Sequence, residues 1–174
     1  MRRNLLIALF TFAAICVGQV TFAQGGSDVT TPVTVNINLT DAISITLGAD
    51  PTVDFNYLTA VDYTQEQTVE KPSHFTVVSN RGYNLAVSAT QDFTPTGPDL
   101  GIVTVSVDDA SATANGGTPL NVTLSQTEQP LLTDASPSAE AVYQINYQIT
   151  DPTPLLGLDA ATYTTTVIYS ATQL

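Results

Sequence analysis

Eleven residues near the end of the chain, Thr162-Tyr163-Thr164-Thr165-Thr166-Val167-Ile168-Tyr169-Ser170-Ala171-Thr172, consist only of Thr, Tyr, Val, Ile, Ser and Ala. β-Branched and aromatic side chains fit a pleated surface, where their stiff χ1 costs little. No Gly or Pro interrupts a ladder. On a period of two, Tyr163, Thr165, Val167, Tyr169 and Ala171 share the more apolar face, and hydroxyls dominate the other. That pattern predicts a half-buried strand starting near Ala161 that closes an all-β domain.

The same alternation recurs in short runs. Val33–Leu39 alternates apolar and polar without an error, and Ile43, Ile45 and Leu47 resume the pattern after Asp41. Gly48-Ala49-Asp50-Pro51 reads as a turn, and Val53, Phe55 and Tyr57 as a third strand. Residues 59–72 are polar, end at Pro72 and carry no helical apolar stripe, so they read as a loop with one extended piece around Thr68-Val69, with a short helix as the alternative. His74–Ser79 and Tyr83–Ala89, joined by Asn80-Arg81-Gly82, predict a hairpin, because Asn and Gly tolerate the positive φ of a tight turn. Tyr83, Leu85, Val87 and Ala89 would face the core.

Further strands are expected over Ile102–Val107, Leu120–Leu124 and Ala141–Ile149. The last has Ala141, Tyr143, Ile145, Tyr147 and Ile149 inward. Asp108 to Thr118 and the stretch from Gln129-Pro130 to Ser136-Pro137 read as links. The outcome is an antiparallel β-sandwich of eight or nine short strands with no convincing helix and no solenoid repeat; a jelly roll or closed barrel is the alternative.

Residues 1–23 read as a cleaved signal peptide. Arg2 and Arg3 form a basic start, Leu5–Val17 is apolar, and Thr21-Phe22-Ala23 offers small residues before a cut at Gln24. The apolar run falls short of the ~20 residues of a membrane-spanning helix, so no stable span is expected. A lipoprotein signal at Cys16 is the rival reading, and Ile15 stands where a small residue should precede that cysteine. Residues 24–30 form a flexible leader, and 31–174 a single domain large enough to do without staples. Cys16 is the only cysteine, so cleavage leaves no disulfide and no thiolate chemistry. All sixteen acids follow residue 23, where Lys71 and Arg81 are the only bases, for a net charge of about −14. Such a chain repels nucleic acid and anionic lipid.

Catalytic signatures are missing. His74 is the only histidine, so a Ser-His-Asp arrangement would have to run through it. It lies in Pro72-Ser73-His74-Phe75 without a nucleophile elbow and reads as a surface residue at a strand end. One histidine without cysteine cannot build a zinc site, and no phosphate loop, dinucleotide fingerprint or EF-hand loop is present. Asp108 and Asp109, with Asp99, are conceivable calcium ligands in a loop, against the plainer reading of solvated acids. Asn38-Leu39-Thr40 and Asn121-Val122-Thr123 match the glycosylation triplet, as Asn/Thr-rich strands do by chance. Tyr83, Tyr143 and Tyr147 fall on inward faces, which favours core packing over a sugar platform. No catalytic, cofactor-binding or metal-binding residue is assigned.

Thr34-Val35-Asn36-Ile37-Asn38 together with Ala161-Thr162-Tyr163-Thr164-Thr165-Thr166-Val167-Ile168-Tyr169 resembles exported bacterial surface β-domains: an uncharacterised family with a terminal G-T-Y-T-x-T-V-x-Y strand, the WxL-type domains and the spore-coat-U/pilus-subunit group. The resemblance covers about a quarter of residues 24–174. It implies an immunoglobulin-like or pilin-like sandwich at the cell surface, in the periplasm or outside the cell, in a structural or adhesive role. Ala161 replaces the usual Gly, there is no Trp, and the cysteine pair of most pilus subunits is missing. The leading expectation is a non-enzymatic exported fibre or matrix subunit, with copies of itself or other surface proteins as partners. Val29–Leu39 would either add as a strand to a neighbour or pair within its own domain. A glycan- or calcium-binding module is the alternative, and a carboxylate hydrolase ranks last.

Overall fold

Strands that alternate apolar and polar residues bury one face only by stacking on a second sheet. The computed structural model describes residues 34–174, and the chain divides into two units, Met1–Leu39 and Thr40–Leu174. The signal segment 1–23, the leader 24–30 and Val33 lie outside the described residues. Thr40–Leu174 carries nine strands: β1 (Ile43–Leu47), β2 (Gln67–Ser79), β3 (Tyr83–Ala89), β4 (Thr104–Val107), β5 (Thr118–Pro119), β6 (Asn121–Thr123), β7 (Gln129–Ala135), β8 (Ser138–Ile149) and β9 (Val167–Gln173). They form two antiparallel sheets, ordered β1-β2-β8-β4-β6 and β5-β7-β3-β9.

Inward positions follow the alternation where it is cleanest. In β3, Tyr83, Leu85, Val87 and Ala89 are buried; in β8, Ala141, Tyr143, Ile145, Tyr147 and Ile149 are buried. Phe75 and Val77 of β2 and Val105 and Val107 of β4 complete that layer. Two pairs of phenol hydroxyls bridge the sheets inside this core. Tyr83 and Tyr143 meet at 2.7 Å, and Tyr147 and Tyr169 at 2.5 Å. Burial pushes Tyr83 above the ordinary tyrosine range, and Tyr143 further. Both stay neutral, as a hydroxyl pair in an apolar layer requires.

Several elements depart from the sequence reading. β2 and β3 are consecutive but lie in different sheets, so Asn80-Arg81-Gly82 is a crossover, not a hairpin turn. The left-handed residues a tight hairpin needs are absent there. Asn80 instead serves the start of β1: its side chain accepts from the Ala42 N–H at 2.9 Å and donates to the Thr40 carbonyl at 2.8 Å. Gln129–Ala135, expected to be a link, is strand β7. Its register on β3 shifts at Leu85, which lets both Leu131 and Leu132 be buried and erases the period-two signal. The strand expected over Leu120–Leu124 is β6 at Asn121–Thr123, and the short β5 just before it pairs in the other sheet.

A six-residue helix, α1 (Asp109–Ala114), occupies a stretch with no predicted helix. Six residues cannot show a helical period. Its signal is the cap, since Asp108 Oδ2 accepts from the Ala110 and Ser111 N–H groups, both at 3.1 Å.

Residues 34–42 form no strand, and neither do Val53–Tyr57. The latter keep their alternation, with Val53, Phe55 and Tyr57 half-buried against the core. β9 begins at Val167, six residues after the expected start; Thr164 is held only by an isolated bridge to Thr94.

The Tyr83–Tyr143 pair predicts a non-additive mutant cycle. Tyr83→Phe or Tyr143→Phe alone strands a buried hydroxyl and is expected to cost about 1–3 kcal/mol in denaturant unfolding. The double variant, which removes both, is expected to cost no more than the worse single variant. Additive losses would contradict the pairing.

Candidate functional site

Both bases of the described residues grip the segments that flank edge strand β1. Arg81 Nη1 lies 3.1 Å from Asp41 Oδ2, just before β1, and Lys71 Nζ lies 2.6 Å from Asp50 Oδ2, just after it. Lys71 lowers the Asp50 carboxyl below its usual range, first through the side-chain hydrogen bond and then through its charge. Both pairs are exposed on at least one side, so their value lies in holding β1 in register more than in raw stability.

β1 and β9 are the edge strands on the same flank of the sandwich. Gln173 at the end of β9 clips them together. Its Nε2 lies 2.9 Å from the Ala42 carbonyl, 3.1 Å from Ser79 Oγ and 3.0 Å from Asn80 Oδ1. The flank is nonetheless incompletely closed. Ile43 and Ile45 of β1, Val53, Phe55 and Tyr57 after it, and Val167, Tyr169 and Ala171 of β9 pack on the core yet are only partly buried. Along the outer side of β9 no strand is paired among the described residues, and β2 has none beside Gln67–Lys71 on the side away from β8. Unpaired sheet edges of this kind are templates for an added strand.

His74 sits behind this flank, and its position overturns the expectation of a surface residue. Only 4% of it is exposed. The cause is a bulge: β2 pairs Lys71 with Ile145 and Phe75 with Tyr143, so four residues on β2 span two on β8. Pro72 removes an N–H at the bulge, and Ser73 takes φ +53, a left-handed conformation costly for a residue with a Cβ. Gly48 accommodates the bulge. Its N–H donates to the His74 carbonyl at 2.8 Å, and a Cβ there would collide with the Ser73 carbonyl oxygen. The extra residues put His74 and Phe75 inward in succession.

Once inside, the imidazole Nε2 lies 2.9 Å from the Tyr147 hydroxyl, which also reaches Tyr169. The ring stands edge-on to both phenols, with centroids 5.7 Å away in each case. Nδ1 is buried without a partner. Burial is the largest cause that pulls His74 below its ordinary pKa; the Lys71 charge adds to it, and Asp50 opposes it. Burial pushes Tyr147 up to about 12, and Tyr169 further still. The cluster is therefore a neutral hydrogen-bonded chain from β2 through β8 to β9. No serine or carboxylate is hydrogen-bonded to His74, so nothing here is activated as a nucleophile. Residues 67–72, expected to finish a loop at Pro72, are instead the first part of β2, which is why His74 reads linearly as a strand-end residue. A proline inside a longer β run was the available sign of a bulge.

The other candidates resolve locally. Asp108 caps α1 and Asp99 Oδ1 accepts from the Gly101 N–H at 2.7 Å. Among the described residues no group of three or more His, Cys, Asp or Glu is placed to hold a metal ion. Tyr83, Tyr143 and Tyr147 are buried, and Tyr57, Tyr63, Tyr163 and Tyr169 are partly buried. An open depression between Leu120–Ser125 and Gln129–Pro130 mixes polar and apolar lining and contains no titratable side chain. No helix among the described residues is long and apolar enough to cross a membrane.

No protein-family model matches the chain, and a search of curated proteins finds no relative. Among solved structures, a chain from a chaperone-usher pilus is similar at 15% identity with a TM-score of 0.41, covering 87% of this chain and all of that one.

Asp108 supplies a direct test of its role. Asp108→Ala is expected to lower stability by about 1 kcal/mol through loss of the cap. Asp109→Ala should cost under about 0.5 kcal/mol. Thermal unfolding with and without millimolar calcium checks both. A calcium-dependent rise in Tm that disappears in Asp108→Ala would show ligation instead of capping.

Proposed function

We propose that the chain is a non-enzymatic, exported structural subunit that assembles with other copies of itself by strand addition. The observation that carries this reading is the state of residues 34–39. Val35, Ile37 and Leu39 alternate with Thr34, Asn36 and Asn38, yet they form no strand and are 79%, 80% and 83% exposed. A run that alternates this cleanly is a strand in pattern, and leaving three large aliphatic residues in water forfeits about 1.5–3 kcal/mol each. Pairing with a sheet edge on another copy recovers that burial and satisfies the backbone of both partners.

The β1–β9 flank is the surface such a strand fits. Val33–Leu39 spans seven residues, as does β9. Laid along the outer edge of β9, its alternate apolar side chains would fall in the layer of Val167, Tyr169 and Ala171 and complete their burial. The remaining properties agree with a surface or extracellular role. The N-terminal segment reads as a cleaved signal, and the acidic surface keeps unassembled copies soluble and away from nucleic acid and anionic lipid.

Val35→Asp and Ile37→Asp, singly and together, test the reading. Each lies at an exposed position, so the unfolding free energy should move by less than about 0.5 kcal/mol. Sedimentation over a concentration series should show the unaltered chain forming oligomers and the double variant remaining a monomer. A monomer at every concentration for the unaltered chain, or equal assembly of both, would overturn it.

A further inference from the structure

The bulge at Pro72-Ser73 turns a histidine into the flank of the sandwich where β9 is held, and no metal, nucleophile or structural charge there makes use of an imidazole. An apolar side chain would fill that space without the cost of an orphaned ring nitrogen. We propose that His74 is an acid-operated latch on β9: the neutral ring holds Tyr147 and Tyr169 together and keeps β9 seated, and the charged ring releases β9. The proposal rests on the assembly reading only for its consequence, which is that strand addition along β9 weakens in acid.

The geometry carries the latch. Neutral imidazole offers one donor and one acceptor, and Nε2 uses its one role on the Tyr147 hydroxyl at 2.9 Å. Imidazolium has two N–H donors. The second, on Nδ1, points into a buried position with no acceptor. The first forces the Tyr147 hydroxyl to accept, which sets the direction of its bond with Tyr169, the contact that ties β8 to β9. A buried unpaired donor that also carries charge is costly to keep, and moving β9 aside to admit water relieves it.

The groups that face the ring come from every side. Lys71 lies on its own strand, Asp50 on the segment after β1, Tyr147 on β8 and Tyr169 on β9. Lys71 and Asp50 pair with each other at 2.6 Å. Asp50 is held below the usual carboxylate range and stays charged while the histidine titrates, and both tyrosines stay neutral throughout. Of these groups only His74 has an ordinary pKa between pH 5 and 8.

The sign is fixed. The folded pKa lies below the ordinary 6.5, because burial disfavours the cation. The unfolded chain takes up its proton first as pH falls. The contribution of His74 is complete above 6.5 and is lost as pH falls from there through the folded value.

Amide hydrogen exchange on the full chain, dilute enough to sediment as a monomer, tests this at about pH 7.5 and about pH 5. After correction for intrinsic rates, amides of Ile168–Gln173 are expected to exchange faster at the lower pH, because the cost of charging the buried ring is removed when β9 opens. Amides of β4 are expected to be unchanged between the two pH values, and β9 amides of His74→Phe, which cannot be charged, are expected to show no change between them. Unchanged β9 exchange in the unaltered chain, or equal acceleration in His74→Phe, would overturn the latch. If His74→Phe does not fold, the His74 imidazole is titrated by NMR in the unaltered chain. A midpoint below 6.5 with coincident shifts at Tyr169 supports the latch; a midpoint at or above 6.5, or one without shifts at Tyr169, overturns it. Absence of assembly would remove the proposed function and leave the β9 comparison intact.

Discussion

The ladder between β2 and β8 is the constraint on which the rest of the sandwich depends. It is the longest pairing in the fold, from Gln67 with Ile149 to Ser79 with Ser138. It places Phe75 and Val77 beside Ala141, Tyr143 and Ile145 as one apolar face. Such a face is stable only if a second sheet covers it. β3, with four inward residues in strict alternation, is the strand that does so. The Tyr83–Tyr143 hydroxyl bond then fixes how the two sheets sit, because each phenol has no other partner in a dry layer.

The same ladder determines where the fold is irregular. A two-residue excess in β2 cannot be absorbed by β8, so it bulges, and the bulge requires Gly48 beside it and a left-handed Ser73. These costs fall on the flank between β1 and β9, which is also the flank with half-buried apolar residues and unpaired backbone. Two ion pairs and the Gln173 amide hold its edge strands in place from their ends. Stability is thus concentrated in β2, β8, β3 and β4, and the capacity to change is concentrated at β1 and β9.

Where a strand buries one face without a register shift, its residues could be assigned from period two alone. β3 and β8 are the clear cases, and the antiparallel sandwich followed from them. β7 was not legible, because Pro130 and the consecutive Leu131 and Leu132 follow a bulged register. The link after Ser79 was read as a hairpin because Asn and Gly are common in tight turns; the choice between staying in a sheet and crossing to the other is made by tertiary contacts to Ala42 and Thr40, far away in sequence. The half-buried face of the C-terminal run was correct from Tyr163 to Ala171, but ladder formation starts only where β3 can reach it. Of the candidate site, the alternation of residues 33–39 was visible and the exposure of Val35, Ile37 and Leu39 was not. His74 was visible as the lone histidine, but its burial depended on a bulge that a linear pattern does not reveal.

The proposed self-assembling role would connect these features: an exposed strand-like segment at one end of the described chain, an open edge at the other, and a titratable group beneath that edge. The segment from Thr34 to Leu39 is the point on which the account rests. Amide exchange at Val35, Ile37 and Leu39, measured as protein concentration rises, tests it directly. The account predicts no protection in dilute solution and strong protection, shared with the β9 amides, once oligomers form. Oligomers in which these three amides remain unprotected would contradict it.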